Sequence, residues 1–382
     1  MSEVACRACR SRDGQLVLDL GEQPACDYFP PAGDPGGDPH YPLRMWLCAS
    51  CGLAQLAEDA TVPGEPRGIE PAALVSQAAD AVGRAAAAGL LPAGARVAEY
   101  GSPHGGSWLG LLSDRGLTPV PGGGVADVVL DCFGLMHAAD QAAAVAERVD
   151  RVADGGTLLL QYHALQAIIG FGQWNALRHG HYAYYSAAAL AAMLGRHGFR
   201  LCRAWHFTLY GGTVLLAARR ATGPGGRGPA DADPSGTVAA LLAGEERAGV
   251  RDPAVLGGLQ RSALDQAKHL HDWLVAERSA ERTVVGYGAA SRAISLLRRA
   301  GVDRSLLPAV ADASPAKRGR RIPGTDIPVV RPAELAARRP DAVLLLLSDL
   351  LPEVRAAYPG VEAAGGRWVD VTTLGTGPSG NG

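Results

Sequence analysis

The sequence has no surplus of charge of either sign: 36 Lys and Arg stand against 38 Asp and Glu, a formal net charge of −2. A chain that tracks nucleic-acid phosphates or anionic lipid carries a basic excess or a basic block, and neither is present, so nucleic acid and membrane are not expected partners. A small anionic metabolite needs only a local cluster of donors and stays open. Long hydrophobic runs are missing too. The most apolar one, AVLLLLSDLL at residues 342–351, is far short of the roughly 20 residues that span a bilayer. MSEVACRACR at the start has no apolar signal core. These absences lead to the expectation of a soluble, cytoplasmic chain. At 382 residues and 47% hydrophobic content it is long enough for more than one core.

Of the seven cysteines, four fall into two pairs, CRAC at Cys6 and Cys9 and CASC at Cys48 and Cys51. Each CxxC can turn tightly and give two thiolates to one tetrahedral Zn²⁺. One such pair alone would also suit a redox dithiol, but two point to a metal. Four thiolates leave no open position for catalysis, so the expected zinc is structural, and a hairpin can fill the loop between the pairs. Cys26 is left over as ordinary packing. A small module this poor in apolar residues is expected to need its metal to fold.

Beyond it, residues 70–91 are alanine-rich and amphipathic and predict a helix. ARVAEYGSPHGG then reads as an apolar strand running into a glycine turn, and WLGLLSDRG as a helix. The order continues with a strand at 126–131, a helix at 139–152, a strand at 156–162, a helix at 186–197, and strands near 200–207 and 212–218. Strand, glycine turn and helix make a place for a cofactor bearing an anion or ribose, because free backbone N–H groups sit at the helix start.

Another absence concerns residues 117–125, which are only LTPVPGGGV. A full doubly wound half needs about 30 residues for its next strand, helix and strand. The acidic residue that normally grips a cofactor ribose sits at the end of that second strand, and that strand is expected to be missing, leaving the sheet shortened where a cofactor would be held. ATGPGGRGPADADPSG, at 221–236, reads as a glycine and proline linker. After a long helix near 250–277, RTVVGYGAASRAISLL repeats strand, glycine turn and helix. Strands near 307–311, ending at Asp312, and at 342–347 and 367–371 complete a second Rossmann-like sheet. The expected organisation is α/β throughout: a zinc module at 1–65, a methyltransferase-like Rossmann domain with a shortened sheet at 66–220, a linker at 221–236, a C-terminal Rossmann-like domain at 237–374 and a tail at 375–382.

Four features in fixed order carry a resemblance: the CxxC pairs with LGEQPACDYF and YPLRMWLCASCGLAQL, then VAEYGS, then RHGHYAYYS with YGGT, and finally VVGYGAASR with IPGTDIPVV. Over nearly its whole length the chain resembles the sugar C-methyltransferases of antibiotic deoxysugar pathways. The resemblance implies zinc in the first module, S-adenosylmethionine in the middle domain, and a dTDP-linked 4-keto sugar enclosed with the C-terminal domain. It further implies a histidine base that removes the proton beside the ketone. A carbon acid becomes nucleophilic only once deprotonated, and a base with pKa near neutrality suits that step.

The family pattern Tyr-His-Glu-His falls on Arg178, His179, Gly180 and His181. The resemblance makes His181 the base and His179 its neighbour or orienter, with Arg178 a donor to an enolate or a phosphate. Tyr182, Tyr184 and Tyr185 are expected as pocket wall and core, Tyr182 towards substrate. On the cofactor side the matching residues are Glu99, Gly101, Ser102 and Gly105 of the first glycine turn and His137 of FGLMH. Pro103 and His104 replace the family's polar pair, and Cys132 and Phe133 replace its asparagines. For substrate the resemblance implies Gly211, Gly212 and Thr213 of YGGT. It also implies Gly286, Tyr287, Gly288, Ser291 and Arg292 of the second turn, with Arg292 on a phosphate.

The leading reading is enolisation of a keto-sugar nucleotide followed by carbon methylation. An epimerase, isomerase or eliminase using the same base competes, because the cofactor side is altered at several places. A non-catalytic binding subunit and a nicotinamide-dependent ketoreductase, the latter needing Asp312 on a ribose, are the remaining readings. Roles for His104 and His163, and the oligomeric state, stay open.

Overall fold

The computed structural model describes residues 4–34, 37–61, 70–102, 105–221, 233 and 235–375. Pro103 and His104, most of the expected linker and the end of the tail lie outside them.

The first module is a hairpin of β1 (Gly14–Pro24) and β2 (His40–Cys48), followed by β3 (Ala54–Leu56), all antiparallel. A hairpin does fill the loop between the cysteine pairs. The middle domain opens with α1 (Ala72–Ala87) and continues with β4 (Arg96–Gly101), α2 (Leu109–Ser113), β5 (Thr118–Pro119), β6 (Ala126–Cys132), α3 (Gln141–Asp150), β7 (Val152–His163), α4 (Leu165–Gly170), β8 (Ala183–Tyr184), α5 (Ala187–Gly195), β9 (Phe199–Phe207) and β10 (Thr213–Arg220). Its sheet has the order β5-β4-β6-β7-β10-β9, parallel from β5 to β7 and antiparallel at β10 and β9. Leu158 to Leu160 of β7, buried on both faces, form a continuous apolar run rather than an alternation, as a strand covered on both sides requires.

β5 corrects one expectation. The second strand is not lost: its two residues pair with Arg96 and Val97 at the sheet edge. What is missing is the following helix and third strand, because Pro119, Pro121 and the three glycines at 122–124 cannot propagate either element. No carboxylate occurs between β5 and β6.

After residue 236 come α6 (Thr237–Arg247) and α7 (Pro253–Ser279), then β11 (Val284–Tyr287), α8 (Ser291–Arg299), β12 (Val310–Ala311), β13 (Val329–Val330), β14 (Ala342–Leu345) and β15 (Arg367–Asp370). The last sheet is wholly parallel in the order β13-β12-β11-β14-β15, a doubly wound arrangement whose ligand crevice lies beyond the carboxyl end of β11.

The three units are interlocked. α6, which follows the expected linker, packs on β9 and α5 of the middle domain, and its buried Glu245 accepts hydrogen bonds from Ala187 and Ala188 at the start of α5. The first module does not bury its apolar side chains alone. Val17, Leu18, Leu20, Phe29, Leu43 and Met45 share one core with Leu256 and Leu259 of α7 and Ile294 and Leu297 of α8. Each such side chain contributes about 1.5–3 kcal/mol when fully buried, so C-terminal helices supply much of the hydrophobic support for the module. A buried bidentate pair adds to this seam: Arg321 Nη1 and Nη2 donate to the two oxygens of Asp38 at 2.6 and 2.7 Å. β8 is the other join, a middle-domain strand that extends the first module's sheet through Ala54 and Gln55.

Candidate active site

The four CxxC sulfurs come together. Cys6 and Cys51 lie 3.5 Å apart, as do Cys9 and Cys48, and all four lie within 4.8 Å of one another. Four thiolates about 2.3 Å from a tetrahedral Zn²⁺ would stand about 3.8 Å apart, so the donor set fits that ion and closes around it. The contact between Cys6 and Cys51 pulls the Cys6 thiol down to about 5 and pushes Cys51 up, the response of crowded sulfurs competing to shed protons.

Between the middle and C-terminal sheets lies a cavity of 330 Å³. One side is the glycine turn after β4, where Ser102, Gly105, Gly106 and Trp108 face Glu70 and Gln161. Gly105 and Gly106 have φ of 106° and 85°, a left-handed backbone that glycine adopts without strain. Glu99 accepts from Ser107 Oγ at 2.5 Å and Trp108 N–H at 2.6 Å and thereby pins this turn. Neither Glu99 nor Gly101 is part of the wall, whereas Ser102, Gly105 and His137 are.

RHGHYAYYS crosses the middle of the cavity. Its chain is held by the β3–β8 pairing, by Tyr182 N–H on the Met136 carbonyl at 2.7 Å, and by Ser186, which caps α5 through Ala189 N–H. Gly180 has φ of 78°, where a glutamate would be strained. Its N–H donates to Asp59 Oδ2 at 2.7 Å, so a carboxylate from the first module meets this loop instead. Arg178, His181, Tyr184 and Tyr185 line the cavity. The Arg178 guanidinium donates from Nε and Nη2 to His181 Nε2, at 2.8 and 2.5 Å. A guanidinium N–H can only donate, so in this contact Nε2 of His181 is the acceptor. The His137 ring stands edge-on to it at 4.6 Å.

His179 departs from its expected role as orienter. It is buried away from the cavity, with Nε2 on the Pro42 carbonyl at 3.2 Å and its ring against Tyr41. The chain turns here, with His181 N–H on the Arg178 carbonyl at 3.3 Å and Gly180 left-handed, so the two histidines do not share a side as i and i+2 of a strand would, and the first module occupies His179's side. Orientation of His181 falls to Arg178 and His137. Tyr182 also leaves the wall, its ring lying under the Arg7 guanidinium.

The far wall belongs to the second glycine turn. Tyr287, Gly288, Ser291 and Arg292 line the cavity. Gly286 does not; a Cβ there would come within 2.9 Å of Val310, so its smallness serves strand packing. No side chain caps α8, and Ser291 Oγ is buried without a partner among the described residues. Asp312 accepts from Ala289 and Ser314 N–H at 2.8 Å each and so braces the turn from below. Lys317, buried beside it, donates to the Ala289 carbonyl.

YGGT divides unexpectedly. Gly211, Gly212 and Thr213 are absent from the wall; a Cβ on Gly212 would lie 2.6 Å from Ala167, and Thr213 is buried in β10. Tyr210, the residue before them, does line the cavity, as does His163. Burial and the nearby Arg292 charge push the His163 imidazole down to about 3, which keeps it neutral. Tyr210 is the first residue of YGGT, but from that motif the resemblance implied only Gly211, Gly212 and Thr213 for substrate. Its signal was an aromatic residue placed just ahead of two glycines.

Two family models match the chain: "C-methyltransferase C-terminal domain" over residues 208–371 and "Putative zinc binding domain" over residues 6–62. The chain is 25% identical over 415 aligned residues to the C-methyltransferase NovU of Streptomyces niveus, covering 95% of this chain and 94% of that protein. Among solved structures it is similar to the magnesium protoporphyrin IX methyltransferase of Synechocystis (16% identity, 38% of this chain, 83% of that one, TM-score 0.30). Another is the N-methyltransferase NodS of Bradyrhizobium japonicum in complex with S-adenosyl-l-homocysteine (8% identity, 40% and 90%, TM-score 0.31). No helix among the described residues is long and apolar enough to cross a membrane.

Proposed function

For a chain that belongs to the C-methyltransferase family, we propose that the cavity binds a 4-keto nucleotide sugar and that His181 removes the proton next to the ketone, making that carbon the acceptor of a methyl group from S-adenosylmethionine. The observation that carries the reading is a histidine whose Nε2 accepts from a guanidinium, in a cavity walled by two glycine turns.

Each wall has a chemical task in this reading. The turn at Ser102 and Gly105–Gly106 leaves room for close backbone approach, Gln161 Oε1 is buried there without a partner among the described residues, and Glu70 supplies a carboxylate. These groups fit S-adenosylmethionine, with Glu70 taking over the ribose contact that β5 cannot provide. The cofactor supplies an electrophilic methyl. On the opposite wall, the open N-terminus of α8, Ser291 Oγ and the Arg292 guanidinium suit the diphosphate of the sugar nucleotide. Arg178 has a double use: in the free protein it holds the Nε2 lone pair, and on the substrate carbonyl it releases that lone pair to take the proton.

A second reading keeps the enolisation without methyl transfer. Its support is the two-residue β5 and the missing carboxylate after it. One experiment separates the two. The zinc-loaded protein is titrated with S-adenosylmethionine and, in parallel, incubated with a dTDP-linked 4-keto deoxysugar in D₂O. Cofactor binding with a methylated product is expected; deuterium wash-in without cofactor affinity selects the second reading. His181→Ala is expected to abolish wash-in, and retained exchange would remove His181 as the base.

A further inference from the structure

Two aromatic residues on the cavity wall occupy a backbone conformation that suits glycine. Phe133 has φ of 59° and Tyr210 φ of 57°, and their rings meet edge-on at 6.1 Å. A non-glycine residue in the left-handed region costs about 1–2 kcal/mol, a conformation retained where the side chain is needed. At Tyr210 the case is sharp, because Gly211 and Gly212 follow immediately with φ of 78° and 159°. The turn has glycines at hand, yet its first left-handed position carries a phenol.

The surroundings of Tyr210 hold it across the domain boundary. Its N–H donates to Asp349 Oδ1 of the C-terminal domain at 3.1 Å, and its carbonyl accepts from Gln173 Nε2 of the middle domain at 2.9 Å. The Arg292 guanidinium stacks on the ring at 5.1 Å and the His163 imidazole lies at 6.2 Å. The hydroxyl, by contrast, makes no hydrogen bond among the described residues. Burial pushes its ionisation upward, so at neutral pH it remains an O–H donor. The charges of Arg292 and Arg178 both act on it, and Arg178 is the group that grips His181.

We infer that Tyr210 is a catalytic residue that donates its hydroxyl hydrogen bond to the substrate oxygen on which negative charge develops during deprotonation. The inference rests on the enolisation proposed above. When His181 takes the proton, the C–H bond breaks, its electron pair enters the new C=C bond, and the carbonyl oxygen takes the negative charge. No oxidant or reductant is involved. A fixed, water-shielded donor at that oxygen stabilises the enolate more than it stabilises the ketone. Tyr162 also lines the cavity and is the competing phenol, but its hydroxyl is fully buried, with its ring edge-on to Tyr185, and Tyr162→Phe is the control that is expected to leave exchange near the wild-type rate. The His163 imidazole, neutral and unpartnered at Nε2 among the described residues, adds no positive charge beside Tyr210 that would ionise the phenol.

The test is Tyr210→Phe in the full-length zinc-loaded protein, with the dTDP-linked 4-keto deoxysugar in D₂O as probe. The ring and its packing on Arg292, Phe133 and His163 are kept, and only the hydroxyl goes. The exchange rate is expected to fall about 100- to 1,000-fold, the loss seen on removing one oxyanion donor, with KM little changed. Exchange by Y210F at the wild-type rate would overturn the inference and leave the enolisation intact. Absence of exchange in the wild type would overturn the enolisation, and the role of Tyr210 with it. If Y210F is poorly folded, Tyr210→Gly serves instead, since it relieves the left-handed strain. Added phenol is expected to restore exchange in Y210G, whereas a rate no higher with phenol than with toluene would count against the hydroxyl.

Discussion

Replacing Asp38 by Asn tests whether the seam between the first module and the C-terminal domain holds the cavity's far wall in place. Both members of the Asp38–Arg321 pair are about 95% buried, with side-chain exposures of 5% and 4%. Asp38 accepts two bonds from Arg321 and a third from Gly324 N–H at 2.6 Å, while Arg321 also donates to the carbonyls of Asp34 and Thr325. Removing one charge leaves the other buried and unpaired, which costs about 3–5 kcal/mol. Replacing both partners with apolar groups of similar volume, as in D38L/R321M, is expected to restore most of that loss, because the stranded charge is what costs most. Burial pushes the Asp38 carboxyl up, but Arg321 and the Gly324 N–H outweigh it, so its folded pKa is depressed. The sign follows: the pair's contribution is complete above the unfolded value of about 3.9 and is lost as pH falls through the lower folded value. Urea unfolding of wild type, D38N and the double variant, measured at pH 7 and at steps down to pH 3, checks both points. A D38N loss below about 1 kcal/mol at pH 7, within the range of an exposed pair, would refute the reasoning. So would a double variant no better than the single one, or a wild-type advantage that grows as pH falls.

Two further outcomes follow from the same geometry. Removing the metal by chelation, or by Cys51→Ser, is expected to raise amide hydrogen exchange at Ala183 and Tyr184, since β8 is held by β3 close to the CxxC turns; unchanged protection there would uncouple the zinc module from the base loop. Arg292→Met is expected to weaken dTDP binding by about 10- to 100-fold, the worth of a hydrogen bond to a charged group, and to flatten its salt dependence, as titration calorimetry at two ionic strengths would read; equal affinity would move the diphosphate elsewhere.

Much of the site was legible locally. CxxC spacing states its own chemistry, because two residues between thiols set their separation whatever surrounds them. The gap at 117–125 was equally plain, since prolines and glycines cannot propagate a helix and strand. Only the two-residue β5 escaped notice, being too short to leave a pattern.

The order of apolar strands, glycine turns and amphipathic helices determined two doubly wound sheets, and four cysteines determined a metal site, because each is a matter of spacing along the chain. Tertiary packing alone decided which of two histidines two residues apart faces the cavity, that Arg178 grips the other's lone pair, and that Asp59 reaches Gly180 from another module. It also decided that α6 turns back to cap α5, and that Tyr210 rather than its glycines stands on the wall. These are questions of where a side chain is aimed and what surrounds it, and contacts from residues distant in the chain answer them.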